Sequence, residues 1–218
     1  MKILALEFSS DQRSAAAFDH ATGVLSVATE AGGRQMKALA LVETVLSEAR
    51  LEREEIDCLA VGIGPGSYTG IRAAISLAQG WQLARPIHLL GISTVECLAA
   101  QAHAEQLRGR IAIVIDAQRN EFYLAVYGLE PDGPRLLEPL RLATFAEVET
   151  QAAAGATLVG PEAARCFRTG RTLFPDAATL AKLAVHRTDF VPGEKLELIY
   201  LRETAFVKAP PLREIPGL

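Results

Sequence analysis

The chain has 218 residues, half of them hydrophobic and 22% charged, with a formal net charge of −4 and a pI of about 5.6. That length suits one large domain or two small lobes, each burying its own core. A protein that gripped nucleic acid alone would carry a basic face, because phosphate neutralisation drives such binding, so the acidic balance argues against nucleic acid as the main direct partner.

The first segment, Ile3-Leu4-Ala5-Leu6, is a short apolar run ended by Glu7-Phe8-Ser9-Ser10. A second run spans Ser14 to Phe18, Asp19-His20-Ala21-Thr22-Gly23 reads as a turn, and Val24 to Ala28 forms a third strand. Short connections between three strands make an antiparallel meander. Gly32-Gly33 breaks it, and from Arg34 to Arg50 the period becomes helical. Ala38, Leu39, Leu41, Val42, Val45, Leu46 and Ala49 share one arc. That arc is about 160° wide, against the roughly 100° that a simple surface helix needs.

Charged residues Glu52 to Asp57 lead to a strand, Cys58 to Gly62, and a glycine-rich turn, Gly62-Ile63-Gly64-Pro65-Gly66. A helix is predicted from about Ser67 to Ala84; Pro86 stops it, and Ile87 to Leu90 forms the next strand. Ser93 or Thr94 caps a third helix with Glu96 in its first turn. The order βββαβαβα is the topology of a ribonuclease H-like, actin-like lobe. The chain turns polar near Gln101 to Arg110, which divides it into an N-terminal lobe, 1–103, and a smaller, less regular C-terminal lobe, 104–218.

The second half repeats the opening in outline. Ile111 to Asp116 is an apolar strand ending in a carboxylate, Gln118-Arg119-Asn120 is a turn, and Glu121 to Tyr127 is the partner strand. Pro131-Asp132-Gly133-Pro134 reads as another turn. Helices follow around Phe145 to Ala153 and Ala177 to Val185, with a strand at Thr157-Leu158-Val159. The fold class is therefore α/β, with two actin-like lobes, each with a mixed sheet opening in an antiparallel meander.

Cys58, Cys97 and Cys166 are odd in number, far apart and set in apolar stretches, which reads as buried reduced thiols. Met1-Lys2 runs directly into a strand, and no apolar run reaches the roughly 18 residues of a membrane span. A reducing, cytoplasmic location away from membranes is expected.

The sharpest local signal is Gly62-Ile63-Gly64-Pro65-Gly66-Ser67-Tyr68-Thr69-Gly70-Ile71-Arg72. Gly64 and Gly66 allow positive φ and close approach of another backbone; Pro65 stiffens the turn. Ser67 or Thr69 accepts a bond from the first free N–H groups of the helix. A glycine-rich turn at a helix N-terminus is an anion-binding geometry, and a tight turn packed against a neighbouring backbone explains it equally. No Lys follows, as a Walker A loop requires, and Ser67 stands where a dinucleotide fingerprint needs its third glycine. Arg72, in the first turn of the helix, opposes the positive end of the dipole, so a carboxylate or partner contact is expected for it.

The run resembles the G-x-G-P-G-S-[FY]-T-G-x-R signature of the TsaB family. Lys2 to Leu6, Gly91-Ile92-Ser93-Thr94, Ile115 to Tyr123 and Ile199-Tyr200-Leu201-Arg202 are similar to further elements of that family, most closely before residue 125. The chain departs from it at Glu7, where Asp is usual, at Gln35, often His, at Gln118, usually Arg, and around Ile199, where Pro-x-Tyr is expected. The resemblance implies an accessory subunit related to, but lacking the chemistry of, the catalytic subunit TsaD. TsaD resembles a metalloprotein that transfers a threonylcarbamoyl group to the adenosine beside the anticodon of tRNAs reading codons that begin with A. A TsaE-like ATPase joins the assembly, tRNA is met only indirectly, and ATP or ADP is expected only at a shared subunit interface.

The residues agree with a non-catalytic role. A paired-histidine metal motif on a helix is absent, since His20, His88, His103 and His186 are far apart in the chain. The matching helix reads Arg34-Gln35-Met36-Lys37-Ala38-Leu39. The alternative is a nucleotide-dependent enzyme of the actin-like kinase or ATPase class, with Asp116 as metal-organising carboxylate; Ala117-Gln118-Arg119 lacks the glycines of a second phosphate loop. A peptidase-like hydrolase lacks an identifiable base: Gly66-Ser67-Tyr68-Thr69-Gly70 does not centre its serine as G-x-S-x-G does.

The predicted partner surface lies on two helices. Ile71, Ala74, Ile75, Leu77, Ala78 and Trp81 suit packing on their own sheet, while Ala73, Ser76, Gly80 and Ala84 form a stripe of small residues. Small residues let another helix approach closely. With Met36 and Leu39 of the neighbouring helix, the stripe is expected to form a helical bundle with the matching pair of another actin-like chain. A TsaD-like subunit is the preferred partner, and a second copy gives a homodimer when it is missing.

Overall fold

The computed structural model describes residues 1–32 and 37–201. The opening meander forms as expected: β1 (Lys2–Glu7), β2 (Gln12–Asp19) and β3 (Val24–Ala31) pair antiparallel in register. β4 (Cys58–Gly62) and β5 (His88–Ile92) add in parallel, giving the sheet order β3-β2-β1-β4-β5. β1 has neighbours on both edges and helices on both faces, which is why Ile3-Leu4-Ala5-Leu6 is continuously apolar rather than alternating. α1 (Ala38–Ala49) and α2 (Tyr68–Ala84) cover one face through Leu41, Val45, Ile71, Ala74 and Ala78, packed on Leu4, Leu6, Leu59 and Val61. Residues 34–36, expected to begin α1, lie outside the described residues, and so does Met36 of the expected partner surface.

The second sheet has the order β10-β9-β6-β7-β8. β6 (Gly109–Asp116), β7 (Glu121–Glu130) and β8 (Gly133–Thr144) form its meander, β9 (Thr157–Gly160) lies parallel to β6, and β10 (Arg171–Thr172) is a two-residue edge. β8 occupies a stretch that opens on turn residues and was not expected as a strand. α4 (Phe145–Ala153) begins at a full capping box between Thr144 and Glu147 and buries Val148 on one face. α5 (Ala163–Cys166) is a single turn.

α3 (Thr94–Ala104) and α6 (Ala177–Ala184) exchange sides. α3 follows the first sheet in the chain, yet Val95, Leu98 and Ala102 pack on Ile111, Ile113 and Ile115 of the second. α6 follows the second sheet, yet Ala177, Leu180, Ala181 and Ala184 close the free face of the first, against Ile3, Ala5, Ala60 and Leu90. The division expected at 103/104 falls in the last turn of α3, and residues 177–201 return to the first sheet. The layers run α1 and α2, first sheet, α6 with α3, second sheet, α4. This is the two-lobed α/β actin-like fold. Among the described residues no helix is long and apolar enough to cross a membrane.

Candidate functional site

The two meanders aim the ends of β1 and β6 at one cleft of about 530 Å³ between the lobes. Ser9, Ser10 and Asp11 follow β1 into it, Gly66 to Thr69 form one lip, and Asp116 to Gln118 with Tyr123 form the facing wall. Glu162, Arg165 and Tyr200 complete the lining.

The glycine loop is built against the end of β1. A Cβ on Gly66, whose φ is +153°, would stand 2.2 Å from the Ser9 carbonyl oxygen, and one on Gly70 would stand 2.0 Å from that of Phe8. The Ser67 amide donates to Ser9 O at 2.7 Å, and Ser67 Oγ caps α2 by accepting from the Gly70 amide at 3.4 Å. Gly64 turns at φ +95° and its carbonyl accepts from the Thr94 amide at 2.8 Å and the Ser93 hydroxyl at 3.4 Å. Pro65 is buried beneath the turn and Thr69 is exposed on the cleft lip. Ser93 therefore holds the cap position of α3 while its side chain reaches the glycine loop instead. Thr94 donates its hydroxyl to Ser9 Oγ at 3.0 Å, and the Ile199 amide donates to Ile63 O at 2.8 Å. Segments far apart in sequence thus meet at one junction.

Of the carboxylate or partner contact expected for Arg72, no carboxylate stands beside it among the described residues, and an aromatic ring does. The guanidinium sits 5.4 Å from the Tyr68 ring centroid and donates to its hydroxyl at 3.2 Å, one turn back on the same helix. Tyr68 in turn meets Tyr200 edge-on at 6.4 Å.

Glu7 does not enter the cleft. It is fully buried; Oε1 accepts from the Ser9 amide at 2.7 Å, and Oε2 has no hydrogen-bond partner among the described residues. A Cβ on Gly62 would stand 2.0 Å from Oε2, so Gly62 makes room for this carboxyl. Burial pushes the Glu7 carboxyl up to about 7; Ser9 hydrogen bonds oppose this and the charge of Asp176 adds to it.

Asp116 does face the cleft. Its Oδ1 accepts from the Gln118 amide at 2.7 Å, and its Oδ2 lies 3.4 Å from Arg165. Gln118, Arg119 and Asn120 all turn through positive φ, tightening this hairpin. Glu162, absent from the sequence reading, accepts from the Asp116 amide at 3.3 Å, and burial followed by the charges of Asp116 and Asp11 raises its carboxyl. Its signal was available: like Glu7 and Asp116, it follows a short apolar strand. Among the described residues the cleft thus gathers Asp11, Asp116 and Glu162 against one lining guanidinium, Arg165. Among the described residues no group of three or more His, Cys, Asp or Glu is placed to hold a metal ion, and no histidine lines the cleft.

A second, apolar feature lies between α1 and α2. Leu39, Val42, Leu77, Gly80, Trp81 and Ala84 line a groove of about 530 Å³, with Ser76 and the rim residues Arg53, Glu54 and Arg85. A Cβ on Gly80 would meet nothing within 4 Å, and Leu39 is 63% exposed. Leu39, Ser76, Gly80 and Ala84 of the expected stripe come together here, while Ala73 is half-buried and off the groove. The described C-terminal segment takes the other flank of α2, where Gln79 Nε2 donates to Gly193 O at 2.8 Å and the Gly193 amide to Gln82 Oε1 at 2.7 Å.

A family model described as TsaD, tRNA N6-adenosine threonylcarbamoyltransferase, matches residues 33–179. The chain is 27% identical to the tRNA threonylcarbamoyladenosine biosynthesis protein TsaB of Escherichia coli K12, over 98% of this chain and 100% of that protein. It is 32% identical to the protein of the same name from Bacillus subtilis 168, over 42% of this chain and 39% of that one. A solved Pseudomonas aeruginosa structure, described as an uncharacterized protein with similarity to peptidase YeaZ, superposes with a TM-score of 0.79 at 29% identity, covering 92% of this chain and 99% of that one. The chain belongs to the family that the TsaD model describes and, within it, to the TsaB proteins.

Proposed function

We propose that this chain takes part in making threonylcarbamoyladenosine on tRNA as an accessory subunit without chemistry of its own, pairing with a TsaD-like catalytic subunit. The α1–α2 groove is the observation that carries this reading. Both helices already bury one face on their own sheet, and the remaining apolar surface faces water around a glycine with open space above it. Exposed apolar patches of this kind mark interfaces, and a mid-helix glycine, which costs about 1 kcal/mol relative to Ala, is explained when a second helix approaches it closely. The pathway follows from the names of the relatives.

The cleft supports the same reading. Glu7, at the end of the first strand, turns its carboxyl onto Gly62 rather than outward. Among the described residues the carboxylates across the cleft outnumber its guanidinium, which disfavours an unaccompanied polyphosphate. On this reading ATP or ADP belongs only at a shared subunit interface, and a TsaE-like ATPase joins the larger assembly. The acidic chain meets tRNA through its partner.

The test is a sizing column run with the purified chain and a TsaD-like subunit. The parent chain should co-elute with the subunit; Gly80→Leu and Leu39→Glu should not. Gly80→Leu should leave circular dichroism and the thermal midpoint unchanged or slightly raised, since its space is open and Leu favours helix. Co-elution that survives both substitutions would remove the groove from the interface. Steady ATP turnover by the isolated chain, abolished by Asp116→Ala, would replace this reading with the kinase or ATPase one.

A further inference from the structure

We propose that Arg72, laid on Tyr68 at the head of α2, selects the partner helix and sets its register by binding a carboxylate side chain that this helix carries. The proposal rests on the reading of the α1–α2 groove as the partner surface, and adds to it the chemistry that the partner must present.

The exposed face of α2 is organised as one row. Tyr68, Arg72, Ser76, Gly80 and Ala84 are all exposed and recur every four residues. Residues spaced in this way form a ridge, inclined by about 26° to the helix axis, along which a second helix packs. The lower members, Ser76, Gly80 and Ala84, are small and line the apolar groove. The upper two are large, and they replace apolar contact with a cation on an aromatic ring. Close backbone approach is open at Gly80, where a Cβ would meet nothing within 4 Å. It is closed at Arg72. A helix lying on the row has its height fixed where small side chains give way to large ones.

The upper end is held in place. The Arg72 guanidinium sits 5.4 Å from the Tyr68 ring centroid and donates to the Tyr68 hydroxyl at 3.2 Å. Tyr200 braces Tyr68 edge-on at 6.4 Å, and the two residues are 53% and 49% exposed. A guanidinium is a planar fork of donors that matches the two oxygens of a carboxylate, and stacking on a ring orients that fork. A cation in the first turn also faces the positive end of the helix dipole, a local cost that a bound carboxylate offsets. Tyrosine and arginine are the side chains that most often dominate interface energetics. Glu197 borders the same hollow of about 380 Å³ as Arg72 and Ser76, which makes it the internal competitor.

The occupant follows from this layout. Ala84 lies twelve positions after Arg72 on the same helix, about 18 Å at 1.5 Å per residue. The partner element is therefore a helix of at least about three turns. It packs closely over Gly80 and carries an Asp or Glu at the end that passes Arg72.

Isothermal titration of the full chain against a purified TsaD-like subunit, at low and high NaCl, tests this. The affinity of the parent should fall as salt rises. Arg72→Ala should weaken binding about tenfold at low salt and remove most of the salt dependence. Arg72→Glu should weaken it further, and Arg72→Lys, which keeps the charge without the fork, should fall between parent and Arg72→Ala. Glu197→Gln should bind as the parent does, and circular dichroism should be the same for all. An Asp or Glu to Arg change on the subunit's facing helix should restore binding to Arg72→Glu. Binding by Arg72→Ala and Arg72→Glu within about twofold of the parent overturns the proposal and leaves the groove standing. So does a loss on Glu197→Gln equal to that on Arg72→Ala, which makes the arginine an internal strut. A change confined to self-association, read by sedimentation velocity, gives the face to a second copy and also overturns it. A parent chain that does not bind the subunit overturns this proposal together with the groove.

Discussion

Replacing Glu7 with Gln should stabilise the protein at pH 8 and leave its stability almost unchanged at pH 4.5. The buried carboxyl is raised from its ordinary 4.5 to about 7, chiefly by desolvation. Folding therefore favours its protonated form. The stability this proton confers is fully present below pH 4.5 and is lost as pH rises through about 7. At about 1.4 kcal/mol per pH unit, the gap amounts to about 3 kcal/mol between the two ends of the window. Glutamine keeps an oxygen for the Ser9 amide and cannot ionise. Other carboxyls pull the opposite way: Asp189, held down to about 2 by Arg187, adds stability as pH rises through its own, lower window. The raw pH curve of either protein mixes these contributions, whereas the difference between parent and variant isolates Glu7. Urea unfolding at pH 4.5, 6, 7 and 8, with m-values compared, measures it. A stability difference that is the same at every pH would refute the reasoning, and so would a carboxyl carbon of Glu7 that titrates near 4.5 by NMR.

Gly66→Ala should cost about 2–4 kcal/mol by urea unfolding, because its Cβ would overlap the Ser9 carbonyl and neither backbone can give way. Ser67→Ala should cost about 0.5–1 kcal/mol, the low end for a lost N-cap, since the capping bond is long at 3.4 Å. Thiol labelling with Ellman's reagent at pH 8 should modify Cys166 first. Cys58, pushed up to about 12 by burial, and Cys97, raised well above its ordinary value by burial, should react only as fast as the chain unfolds.

The parts of the fold that were legible in sequence are those written in local periodicity. The first meander, α2 with its Ser67 cap, and the strand–turn–strand around Asp116 follow from alternating or helical apolar spacing with turn residues between. β8 was hidden because Pro134, Pro139 and interspersed charges mask an edge strand whose outer side needs no apolar pattern. The exchange of α3 and α6 was hidden for a different reason: an amphipathic face states that it must be buried, not which sheet will bury it. The surplus apolar arc of α1 did carry information, since Leu39 is the residue left outside the core. The glycine loop announced close packing but not its object, and only the structure identifies the Phe8 and Ser9 carbonyls as the neighbours. At Glu7 the sequence showed an acid where Asp is usual, yet its rotation onto Gly62 depends on a contact between two strands.

The late return of α6 also sets a timetable. The first sheet finishes with Ile92, but among the described residues the face formed by Ile3, Ala5, Ala16, Cys58, Ala60 and Leu90 is closed chiefly by Ala177 to Ala184. At ribosomal speeds of roughly 5–20 residues per second, the helix that seals it is complete about 5–18 s later. For that interval the nascent chain displays a formed but uncovered apolar sheet, which is the surface that a ribosome-associated chaperone would hold. A stop codon placed after the third helix would make the interval permanent.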